Sequence, residues 1–125
     1  MQNKRIAGIW LDQTRAFVVK NHNGQEVGEL QPADQVTAVI QQGDSNENTG
    51  NNAEITNKHK FFKNIIEQLT NTEDLYITGP GTIQEELKAY LADTAQYKDL
   101  KVTLDTSQQM TEQQLLDAVK KHYNL

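Results

Sequence analysis

The sequence predicts an α/β domain built on a mixed sheet, and three observations carry that reading. The N-terminal third is rich in β-formers punctuated by turn residues. Two later segments change to helical hydrophobic spacing. Residues 74–91, DLYITGPGTIQEELKAYL, run from a short apolar strand through a glycine-rich turn into an amphipathic helix.

Residues 5–11 and 15–21 read as strands separated by Asp12-Gln13-Thr14, and Asn23-Gly24 is a tight-turn signal before a third strand over 25–30. These form an antiparallel meander. Val36, Ala38 and Ile40 alternate with Thr37 and Val39, which fits either a further short strand or the approach to the next helix. Residues 41–58 are polar, with only Ala53 and Ile55 as apolar side chains, so an exposed, mobile loop is expected there.

Phe61, Phe62, Ile65, Ile66 and Leu69 recur at the spacing of a helix with one buried face, predicting a helix from about 58 to 70. In the next unit Gly79-Pro80-Gly81 ends the strand. Thr82 with Glu85 three residues later has the pattern of a capping box, and Ile83, Leu87, Tyr90 and Leu91 supply the apolar stripe. Residues 101–105 read as another strand. Thr111 with Gln114 repeats the capping pattern and opens a last helix, whose inner face is Leu115, Val119 and His122 or Tyr123. The order is β-β-β-α-β-α-β-α. Strands joined by helical crossovers lie parallel, so the sheet is mixed and helices cover at least one face, an order like that of ribonuclease H.

Composition narrows the function classes. The 125 residues suit one domain, 1–125, able to bury about two-thirds of its unfolded surface. Cysteine is absent, which removes disulfides, thiolate metal sites and a cysteine nucleophile and fits a reducing compartment; the cytoplasm is the default expectation. The start MQNKR has the charge of a signal-peptide n-region, but the apolar run over 6–11 is too short for an h-region. No stretch is long enough to span a bilayer, so no membrane partner is expected. A net charge of -5 argues against general, sequence-independent DNA binding while leaving room for a local basic patch.

Residues 76–91, YITGPGTIQEELKAYL, resemble the strand, Gly-Pro-Gly turn and helix in the central domain of Pelota and of archaeal and eukaryotic class one release factors. Bacterial release-factor-like and host-attachment-like proteins are similar too. The resemblance extends more weakly to the hairpin over 6–19 and to Thr111-Glu-Gln-Gln-Leu115. It implies an association with ribosomes or translation quality control. Release factors of this family carry a Gly-Gly-Gln tripeptide before the first helix; here the corresponding loop has Gln42-Gly43-Asp44 and Thr49-Gly50-Asn51, and the sequence contains no Gly-Gly-Gln. Peptide release is therefore not implied.

Four features could carry chemistry. The turn Gly79, Gly81 and Thr82 directs amides and a helix dipole outward as for an anion, or is simply a tight connection. Asp12 and Asp105 each end a strand and in a ribonuclease H-like nuclease would share a divalent metal, although Asp12 is equally placed to cap its turn. Lys58, His59, Lys60 and Lys63 crowd the expected helix start, where positive charge opposes the dipole, and form a candidate contact for ribosomal RNA, or a solvated face neutralised by Glu54 and Glu67. His22, His59 and His122 fall on a turn, a helix start and a helix end, too scattered for a metal or triad, and Trp10, Phe17 and Tyr76 read as core. The expectation is a non-catalytic binding or adaptor protein without cofactor or metal. The alternatives are a metal-dependent nuclease or hydrolase using Asp12 and Asp105, and a homodimeric interaction module pairing through a sheet edge.

Overall fold

The computed structural model describes residues 4–23, 26–33, 35–37 and 50–124. Along the chain run β1 (Ile6–Leu11), β2 (Arg15–Asn23), β3 (Glu26–Pro32), β4 (Val36–Thr37), α1 (Gly50–Ile66), β5 (Asp74–Thr78), α2 (Ile83–Ala92), β6 (Lys101–Leu104) and α3 (Glu112–His122). Short 3-10 turns at Glu67–Leu69 and Ala95–Tyr97 follow the first two helices. The strands form one mixed sheet in the order β3-β2-β1-β5-β6, with β4 pairing on β2. The meander β1–β2–β3 is antiparallel, while β1–β5 and β5–β6 are parallel, as helical crossovers require. Val36–Thr37 pair with Arg15 and Ala16, so the short strand is real, and positions 38–40 lie outside the described residues.

Helices cover both faces. β1 is buried along its whole length because its alternate side chains enter two cores. Ala7, Ile9 and Leu11 join Leu75 and Ile77 beneath Phe61, Ile65, Leu69, Ile83, Leu87 and Leu91 from α1, its following turn and α2. Ile6 and Trp10 join Phe17, Val19, Leu30 and Tyr76 beneath Leu115, Leu116 and Val119 of α3. Gly8 lies between them on that second face, and a Cβ there would come 2.1 Å from Val119 Cγ2, so its missing side chain lets α3 cross β1 closely.

Four expectations are corrected. α1 begins at Gly50, so residues 50–58 are helical rather than part of a loop, while 41–49 lie outside the described residues. A polar stretch can extend a helix already anchored by Phe61, Phe62 and Ile65, because propagation adds a backbone bond per residue and does not require an apolar face. Its regular part ends at Ile66, not at Thr70, the last turn tightening to 3-10. The box predicted at Thr82 and Glu85 is absent, since Thr82 is itself in the helical region of φ/ψ and its side chain caps nothing. By contrast, Thr111 is extended and both bonds of its box with Gln114 form, at 3.1 and 2.9 Å. His22, expected in a turn, lies buried in β2 with Nε2 2.9 Å from Thr72 Oγ1.

Candidate functional site

The connection from β5 to α2 is tied down from three sides. The carbonyl of Gly79 accepts the Gln84 side-chain amide at 3.0 Å and the Ser107 amide at 2.8 Å. The same Gln84 nitrogen reaches the Asp105 carbonyl at 3.2 Å, and Gln84 is 2% exposed. A Cβ on Gly79 would lie 2.4 Å from the Leu11 carbonyl oxygen, so only glycine lets this turn sit against the end of β1. Gly81 and Thr82 are exposed, but the first turn of α2 carries Glu85 and Glu86, which already answer the positive end of the helix dipole. An anion approaching here meets two carboxylates.

Asp12 and Asp105 close β1 and β6, and β5 lies between those strands. Asp12 Oδ1 accepts the Thr14 amide at 2.8 Å, the Thr14 hydroxyl at 3.0 Å and the Arg15 amide at 2.9 Å. Burial acts to raise its pKa, but these bonds and the Arg15 charge outweigh burial and hold the carboxyl below the usual range. Asp105 Oδ2 accepts the Tyr76 hydroxyl at 2.6 Å, and that bond, with the Thr106 amide, holds its carboxyl low too. Among the described residues no three His, Cys, Asp or Glu side chains gather to hold a metal ion.

The basic stretch is placed differently from its expected position. With α1 starting at Gly50, Lys58, His59 and Lys60 fall within the helix and Lys63 in its last turn, where a cation favours the dipole. The partner of Lys58 is Glu86 in the first turn of α2, at 2.8 Å. His59 lies against Tyr90, ring centres 5.5 Å apart, and Lys60 and Lys63 are exposed. The Lys58–Glu86 pair therefore brings two separately predicted candidates, the α1 lysines and the start of α2, onto one surface.

Sequence reasoning missed a second constellation on the α3 face. The His122 ring lies 4.6 Å from that of Tyr76, whose hydroxyl is pushed up to about 12 by burial and by its bond to Asp105. Nearby, the buried Asp74 accepts the Tyr123 hydroxyl at 2.8 Å, and its other oxygen faces Lys4 at 3.6 Å and Lys101 at 4.0 Å. These groups come from segments far apart in the chain, and no local spacing announces them. The β5–β6 register sets Asp74 opposite Lys101, the β1–β5 register brings the segment that carries Lys4, and the end of α3 delivers His122 and Tyr123.

No family model and no curated protein matches the chain. Solved structures do. The Archaeoglobus fulgidus Pelota protein aligns with 97% of this chain at a TM-score of 0.62 and 10% identity, over 32% of its own length. The Thermoplasma acidophilum Pelota protein aligns with 94% at 0.58 and 15% identity, also over 32% of its length. The archaeal translation termination factor aRF1 aligns with 99% at 0.60 and 14% identity, over 36% of its length. The chain thus spans about a third of each of these proteins and shares its mixed α/β fold with them, in keeping with the resemblance carried by residues 76–91.

Proposed function

We propose that this chain is a non-catalytic binding or adaptor module of the translation apparatus that docks on the ribosome in the cytoplasm. The observation that supports this most is the shared fold with both Pelota and a termination factor over nearly the whole chain. Gly-Gly-Gln is missing from the sequence, and the Asp12 and Asp105 carboxylates are each occupied in hydrogen bonds within the chain. Both observations favour binding over hydrolysis.

The contact surface in this reading is the exposed face of α1 with Lys60 and Lys63, next to His59 on Tyr90 and Lys58 on Glu86. Lysines on a helix face contact phosphates without reading sequence, which suits an adaptor seated on ribosomal RNA. Co-sedimentation with purified ribosomes at low and moderate salt tests it. The protein should pellet with ribosomes at low salt, less so at moderate salt, and K60E/K63E should stay in the supernatant. Wild-type protein left in the supernatant at both salts defeats the reading.

A further inference from the structure

The sheet ends on two edges that are built differently. β3 is guarded: Pro32 brings no amide, Glu26 and Glu29 are exposed, and the register with β2 is irregular between Lys20 and His22. β6 at the other end has no proline and pairs with β5 without a break in register. The amides of Asp105 and Ser107 turn inward to the carbonyls of Ile77 and Gly79, at 2.9 and 2.8 Å. By alternation the amides and carbonyls of Val102 and Leu104 point away from the sheet. The next amide of that outer row, Thr106, is taken by Asp105 Oδ1 at 2.8 Å, which closes the free edge.

We propose that β6 pairs antiparallel with β6 of a second copy of this chain, about a two-fold axis through Thr103. In that register Val102 and the partner's Leu104 exchange both backbone hydrogen bonds, twice by symmetry, and Lys101 stands opposite the partner's Asp105. The strand is self-complementary. Its two ends carry opposite charges, and Val102 and Leu104 lie on one face, half-buried against the core beneath α1 and α2. Sliding the partner by two residues sets Lys101 or Asp105 against Thr103 instead, and in one direction also sets Asp105 against the partner's Asp99, so the charges select one register. The neighbouring charges leave both ends usable. Asp74 lies 4.0 Å from Lys101, whose side chain is 73% exposed and has three protons to donate. Asp105 takes the Tyr76 hydroxyl at 2.6 Å, and His122 close by adds to the attraction for its charged form. Lys98 and Asp99 precede the strand and fall opposite the partner's Gln108 and Ser107. Four backbone bonds and a short strip of surface make a weak, concentration-dependent dimer. The inference stands apart from the translation reading.

Sedimentation equilibrium at low salt over a rising series of protein concentrations tests this. Wild-type protein should pass from monomer to dimer mass. K101E and D105K each set like charges opposite one another at both ends of the interface, and each should dimerise roughly tenfold more weakly. An equimolar mixture of the two restores both unlike pairs and should recover the dimer. Thermal melts verify folding, and Thr103→Cys gives a readout that needs neither charge variant. Cysteine is absent from the chain, and a non-hydrogen-bonded pair on the axis brings its Cα atoms to about 4.5 Å, within disulfide reach. Mild oxidation should therefore link Thr103→Cys into a covalent dimer, while Val102→Cys, whose symmetry mate lies diagonally two positions along, should link far less. Wild-type protein that stays monomeric at every concentration, leaving this edge to a foreign strand, overturns the proposal. So does a dimer that folded charge variants leave intact, or one in which Thr103→Cys fails to cross-link.

Discussion

Tyr123 donates its hydroxyl to Asp74 Oδ1 at 2.8 Å, joining the turn that closes α3 to the first residue of β5, 49 positions earlier. Asp74 is 4% exposed, so its carboxylate depends on this donor and on Lys4 and Lys101 for what water would otherwise supply. Tyr123→Phe keeps the ring and removes the donor. A loss of about 1.5–3 kcal/mol is expected, the usual worth of a hydrogen bond to a charged group, measured by urea denaturation.

Alkaline pH should loosen the same face. Tyr76 is raised to about 12, first by burial and then by its bond to Asp105, and Tyr123 is raised further by burial and Asp74. A phenol whose folded pKa exceeds its unfolded value keeps more protons in the folded state. Its contribution is complete below about pH 10 and is lost as pH climbs through the folded pKa. Melting temperature should therefore fall between about pH 10 and 12, and the fall should be shallower in Tyr76→Phe. Trp10, the sole tryptophan, is fully buried with its indole N–H on the Gln108 carbonyl at 3.2 Å, and its emission reports the loosening.

Glycine-to-alanine changes in the β5–α2 turn should separate sharply. At Gly79 the new methyl meets the Leu11 carbonyl oxygen at 2.4 Å and the Gln84 side chain at 2.9 Å. The backbone oxygen cannot retreat without moving β1, so a cost at or above the ~1–3 kcal/mol typical of overpacking is expected. At Gly81 nothing lies within 4 Å, and the change should stay within about 0.5 kcal/mol of neutral. Chemical denaturation of the two variants gives the comparison.

The two threonines before α2 and α3 look alike in sequence and differ in role. Thr111→Ala removes a complete capping box and should cost about 1 kcal/mol, whereas Thr82→Ala removes no cap bond and should cost little. Thermal melts of both single variants decide it. Equal losses would contradict the assigned geometry.

The difference between these threonines shows where the sequence could be read and where it could not. Hydrophobic periodicity located every long element because Ile65, Leu87 and Val119 recur where a buried face demands them. Turn residues marked the meander and the β5–α2 break for the same local reason. The start of α1 was hidden because a polar helix extension is stabilised by its own backbone and leaves no apolar trace. Thr82 misled because a capping pattern does not fix φ/ψ. Gln84 carries no local signal of its own in the sequence, yet it is buried and ties together Gly79 and Asp105. Of the candidate site, the lysines of α1 could be listed from sequence, but their partner Glu86 lies 28 positions away and required the fold. The cluster at Asp74 was illegible, since it exists only through strand pairing and the docking of α3.

That pairing also shapes how the chain reaches its folded state. Ile6 meets Asp74 across 68 positions, whereas β1, β2 and β3 pair through short connections. The meander can assemble on its own, but its inner edge on β1 stays open until a long loop closes and delivers β5. Until then the apolar strand Ile6–Leu11 presents an unsatisfied backbone to any extended segment nearby. Slow capture of β5, and not formation of the helices, should set the refolding rate, and the interval before it is when this chain is most exposed to self-association.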